Sequence, residues 1–174
     1  GQFVLLFLSL LIFRTCFGLT QPFFFPDELQ TFLIGLRTYC EKNWPFFGPD
    51  LIVTETGFYT QLPGALQGIV VGGPLFLWHA PEAPFVLLNL LSMIGLALLS
   101  FYISKRVTQI PFWFIFPWLA LLPWNLHEST SMINPSWLLF GSCFFFVGFL
   151  EALPETTLGF WEPWAAFSAM GFGL

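Results

Sequence analysis

Two runs of almost unbroken apolar sequence, Phe3 to Thr20 and Phe85 to Ser104, constrain this chain more than any other feature. A helix rises about 1.5 Å per residue, so ~20 apolar residues cover the ~30 Å hydrocarbon core of a bilayer. A soluble domain carries charge on about a quarter of its residues. Here 9% are charged and 56% are hydrophobic, so the runs predict an integral membrane protein rather than buried core helices. Helices satisfy their own backbone within lipid, and the expected fold is an all-α polytopic bundle. The 25 Phe suit lipid-facing and interhelical surface, and the 8 Trp suit several crossings of the headgroup region.

Further apolar stretches raise the expected number of spans to five or six. Leu62 to His79 carries no charge, and its glycines 64, 68, 72 and 73 permit close helix approach. Pro111 to Leu126 is interrupted by Pro117 and Pro123, which predicts a kinked or partly interfacial helix. Trp137 to Leu150 is a short fifth candidate, and Pro163 opens a sixth. The chain reads as one transmembrane domain over residues 1–174, the N-terminal part of a longer polypeptide, with a polar extramembrane loop at 21–61. Strict alternation from a cytoplasmic N-terminus would place Lys105-Arg106 outside, against the positive-inside tendency. Either the protein is inverted or one apolar stretch does not span.

Within the loop, Pro26 suits the first turn of a helix, where Asp27 and Glu28 oppose the positive N-terminal end of the dipole. Leu29, Phe32, Leu33, Leu36 and Cys40 recur at helical spacing, with Glu28, Thr31, Gly35, Thr38 and Glu41 largely on another side. This pattern predicts an amphipathic helix lying in the membrane interface and ending near Asn43, before Trp44-Pro45. The acidic pair is expected in water at the helix head, not as buried charge. A carboxylate there can take a proton from a hydroxyl, and neighbouring helical side chains diverge by about 100°, so one of the two would act and the other support it.

A polar island from Asn125 to Ser131, with His127 and Glu128, leads to Asn134-Pro135-Ser136 and is the second candidate for a substrate-facing surface. Arg14 interrupts the first run and must snorkel, pair with an acid or face a wet cavity. The net charge of -5 argues against nucleic acid, which needs clustered Lys and Arg. Cys16, Cys40 and Cys143 lack metal-type spacing, and the sequence has no nucleotide-binding, zinc or serine-hydrolase motif. No metal and no cofactor is expected.

The segments FFFPDELQTF, YTQLPGALQGIVVGGPLFLW and LHESTSMINPSWLLF together resemble the N-terminal portion of the C-type (GT-C) glycosyltransferase superfamily, which includes protein O-mannosyltransferases and lipid A aminoarabinose transferases. The resemblance implies a polyprenyl-phosphate sugar donor and an acceptor that is lipid, glycan or protein. It implies an anomeric centre inverted on transfer, and a bacterial inner (plasma) membrane location. By it, Asp27 is the base with Glu28 beside it, and Arg37, Tyr59, Gln61, His127, Glu128 and Asn134 contact donor or acceptor. His127-Glu128 stands where many relatives carry an Arg-containing motif. Two other readings are compatible with the residues: a non-catalytic subunit held among membrane protein partners, and a transporter fragment, for which helices broken at Pro117 and Pro123 are the cue.

Overall fold

The computed structural model describes residues 1–21, 26–42, 47–53, 59–63, 66–128, 130–131 and 134–152, with the backbone alone at 26–27, 47–53, 59–63, 66–67, 128, 134–135 and 152. The described chain is predominantly helical. Helix α1 (Gln2–Thr20) is followed by α2 (Pro26–Glu41), and a two-stranded antiparallel ribbon pairs β1 (Phe47–Val53) with β2 (Tyr59–Pro63). Then come α3 (Leu66–Leu77) and α4 (Ala83–Tyr102), which runs into a π-helical turn at Ile103–Val107. Helices α5 (Phe112–Leu121), α6 (Pro123–Glu128) and α7 (Leu138–Ala152) complete the order, with a 3-10 turn at Asn134–Trp137 before α7.

Two helices are long and apolar enough to cross a membrane, Gln2–Thr20 and Ala83–Val107. They run antiparallel. Leu10 clusters with Met93 and Leu96, Arg14 meets Asn89, and the Cα of Gly18 lies against the Phe85 ring, so numbering rises along α1 as it falls along α4. Helix α7 runs parallel to α4, since Gly95 packs against Phe140 and Cys143 while Arg106 meets Glu151. Along α1, Phe3 touches Phe112 and Phe116, Arg14 reaches Ala120 and Asn125, and Gly18 approaches Thr130. Helices α5 and α6 therefore climb together beside α1 as one interrupted pass. Buried Leu10, Met93, Leu96, Phe116, Ala120 and Cys143 form the apolar core between them.

The break in that pass follows from the sequence. Pro117 is carried inside α5, but at Leu122 the backbone turns extended (φ -54°, ψ 129°) and Pro123 restarts the helix. Proline has no N–H to continue the ladder.

The expected span from Leu62 to His79 is not one continuous helix. Leu62 lies in β2, and α3 has 12 residues, about 18 Å of helix against a ~30 Å core. It lies parallel to α2 instead, with Gly72 in line with Gly35 and Thr38, and Phe76 stacked edge-on to Tyr39 at 5.0 Å. A Cβ on Gly72 would sit 2.7 Å from the carbonyl oxygen of Gly35, so only glycine permits this approach. Gly73 has open space, and Gly64 lies outside the described residues. With α3 set beside α2, the amino terminus and Lys105-Arg106 fall at one end of the α1/α4 pair and the acidic loop at the other. This removes the conflict with the positive-inside tendency. The sixth candidate span, from Pro163, lies outside the described residues.

Helix α2 mixes polar and apolar residues on both of its sides. Glu28, Thr31 and Gly35 are buried, whereas Leu29 and Leu33 are exposed at 43% and 51%. The outward row carries Leu29 and Leu33 near the head and the exposed Arg37 and Glu41 toward the tail, while Phe32 packs inward on Val71 and Phe85. It stops at Lys42, which takes a left-handed φ of 54°, one residue ahead of the expected Asn43.

Candidate functional site

The head of α2 meets the polar island. Ser131 donates its hydroxyl to Glu28 Oε1 at 2.5 Å across 103 residues of sequence. Glu28 is 8% exposed, which corrects the expectation that this acid stands in water, and the Asp27 side chain lies outside the described residues. The physical reason is packing: Glu28 lies at helical spacing from buried Thr31 and Gly35 on the side of α2 that meets the protein, where the island supplies a hydroxyl. A charge-assisted O–H···O bond of this length offsets part of the cost of removing a carboxylate from water. Asp27 lies in the first turn of the same helix, one residue back and so about 100° around it.

The island is shaped by α6. Its last turn carries His127, which is exposed, and ends at Glu128. Buried Thr130 closes the turn, its amide donating to His127 O at 3.3 Å and its hydroxyl to Leu126 O. Asn134 opens the 3-10 turn that leads into α7. Next to it, Ser136 is fully buried, and Trp137 packs on the Val71 and Phe85 cluster with Phe32 of α2. Among the described residues, Ser136 Oγ and Trp137 Nε1 are buried donors without a hydrogen-bond partner. Ser92 Oγ, inside α4, is another such donor.

The remaining expected contacts separate into two groups. Arg37 is 72% exposed on α2 and pairs with Glu41 one turn on, at 3.8 Å. An exposed i,i+4 pair of this kind stabilises the helix by only a few tenths of a kcal/mol, about 0.3–0.5. Tyr59 and Gln61 belong to β2, opposite Val53 and Asp50, so the ribbon presents them. The structure thus brings Glu28 together with the island and leaves Arg37 on an outer face.

Sequence reasoning missed a second polar cluster, centred on Arg14. This side chain does not snorkel. It is fully buried, donating from Nε to Asn89 Oδ1 at 3.0 Å, and through its terminal nitrogens to the carbonyl oxygens of Ala120 and of Asn125, the latter at 3.3 Å. Asn89 in turn donates to Thr15 Oγ1 at 2.8 Å and to Leu11 O at 3.3 Å. The signal was present in the sequence as a single Asn inside the otherwise apolar run from Phe85, since an intramembrane amide faces a partner helix.

No protein-family model matches the chain, and neither a curated protein nor a solved structure matches it. Among the described residues, no group of three His, Cys, Asp or Glu side chains is placed to hold a metal ion.

Proposed function

We propose that this chain belongs to a polytopic membrane glycosyltransferase, with its site where the head of α2 meets the island that ends at Ser131. The observation that carries the reading is the Ser131 to Glu28 hydrogen bond, which joins the two polar segments singled out in the sequence. In this reading a polyprenyl-phosphate sugar is the donor and the GT-C resemblance names the reaction class. Asp27 accepts the proton of an acceptor hydroxyl. The acceptor oxygen bonds to the anomeric carbon as the sugar–phosphate bond breaks from the opposite side, releasing the polyprenyl phosphate. Glu28, held by Ser131, supports the geometry, and His127, Asn134, Tyr59 and Gln61 contact donor or acceptor as the resemblance implies. Lys105-Arg106 would be cytoplasmic and the acidic loop on the outer face of a bacterial inner membrane.

One observation favours a transporter instead, the α5–α6 interruption, because discontinuous helices bind substrates at mid-membrane in that class. Asp27→Asn in liposomes carrying a polyprenyl-phosphate sugar separates the two. The glycosyltransferase reading predicts transfer by the unsubstituted protein and a loss of about 100-fold or more in the variant, within the range for a general base. Transfer unchanged by the substitution rules out Asp27 as the base, and no transfer by the unsubstituted protein, with sugar flux instead, favours the transporter.

A further inference from the structure

We infer that Arg14 is a positioning residue, which replaces the backbone donors lost at the α5–α6 break and thereby fixes where α6 delivers the island to Glu28. In a continuous helix the carbonyl of Leu119 would accept from residue 123 and that of Ala120 from residue 124. Pro123 has no N–H, and the extended backbone at Leu122 turns the next amide away. Both carbonyls are nonetheless served by side chains. Asn125 donates from Nδ2 to Leu119 O at 2.9 Å, and Arg14 donates to Ala120 O. Arg14 also reaches Asn125 O at 3.3 Å, so one guanidinium bridges both sides of the break while Asn89 fixes its Nε from α4. A buried backbone carbonyl left without a donor in an apolar surround is costly, and the break is stable only where side chains re-satisfy it.

The link to the site is short. The amide of Leu126 restarts the ladder on Leu122 O at 2.8 Å, Thr130 closes α6 on His127 and Leu126, and Ser131 follows directly with its bond to Glu28. Gly18, one turn beyond Arg14 on α1, leaves room for Phe85 and Thr130, since a Cβ there would lie 2.9 Å from Thr130 Cβ. Helix α1 therefore touches both ends of α6. Lysine cannot substitute, because one ammonium does not present a planar fork to an amide oxygen and two carbonyls at once.

This inference deepens the glycosyltransferase reading and rests on it for the activity readout only. The test is amide hydrogen exchange of the whole protein in detergent micelles, comparing the unsubstituted chain with Arg14→Gln and Arg14→Lys. Expected is an increase of about tenfold or more in exchange at Leu126 and Thr130, with α4 amides from Leu88 to Leu99 unchanged. In transfer assays kcat should fall with KM for the donor held. Unchanged exchange in α6 overturns the inference, and so does equal loosening of α4, which marks Arg14 as a residue of the whole fold. If the Gln variant does not fold, the Lys variant carries the same comparison. Absence of transfer by the unsubstituted protein would overturn the catalytic reading while the exchange result stands.

Discussion

Arg14 and Arg106 both lie on apolar helices, and the protein holds them in opposite ways. Arg106, in the π-helical turn at the end of α4, meets the carboxylate of Glu151 on α7 at 3.6 Å, with 12% and 2% of the two side chains exposed. Arg14, four residues below Gly18 on α1, is held by an amide oxygen and by backbone carbonyls that a helix break has released. The first arrangement is a side-chain pair that tolerates replacement of both members together. The second includes main-chain acceptors, which no substitution can remove. A charge next to an interrupted helix is thus tied to the backbone path itself, whereas a charge at a helix end is tied only to its partner.

The largest expected effect comes from Arg14→Met. It leaves Asn89 Oδ1 and the carbonyls of Ala120 and Asn125 short of a donor, at ~1–3 kcal/mol each. We expect a loss of about 3 to 5 kcal/mol in unfolding free energy by SDS titration, with no rescue from any change at Asn89. A smaller loss would show that the carbonyls find other donors and would weaken the contrast.

Arg106→Met comes next, at roughly 1.5–3 kcal/mol, because buried Glu151 loses its ion pair. Adding Glu151→Leu should return stability to within about 1 kcal/mol of the unsubstituted protein, as replacing a whole buried pair by apolar side chains often does. If the double variant is no better than the single one, the two arginines differ less than their partners suggest.

How much of this was legible in the sequence divides along the same line. Apolar runs announced α1 and α4, because about 20 residues with at most one charge have few other uses. Pro26 and Lys42 bracket α2 much as expected. Pro117 and Pro123 announced an interrupted helix, and the structure breaks it at Leu122, yet what satisfies the break was not readable. Arg14, Asn89 and Asn125 are 36 to 111 residues apart along the chain, and hydrophobic periodicity carries no such pairing. The inward turn of Glu28 was missed for a related reason. Helix α2 has apolar residues on both sides, Phe32 toward the protein and Leu29 and Leu33 away from it, and periodicity does not say which side packs. Leu62 to His79 misled because an apolar, glycine-rich run serves equally for a span and for a short helix packed tightly on another, as Gly35 and Gly72 require here.

The claim at the centre of the account is that the head of α2 and the island form one site, and a double-mutant cycle tests it most directly. Glu28→Gln and Ser131→Ala, singly and together, are compared by unfolding free energy in the same SDS titration. A shared hydrogen bond predicts a coupling of about 1 kcal/mol between them. Effects that simply add, to within ~0.3 kcal/mol, would contradict it.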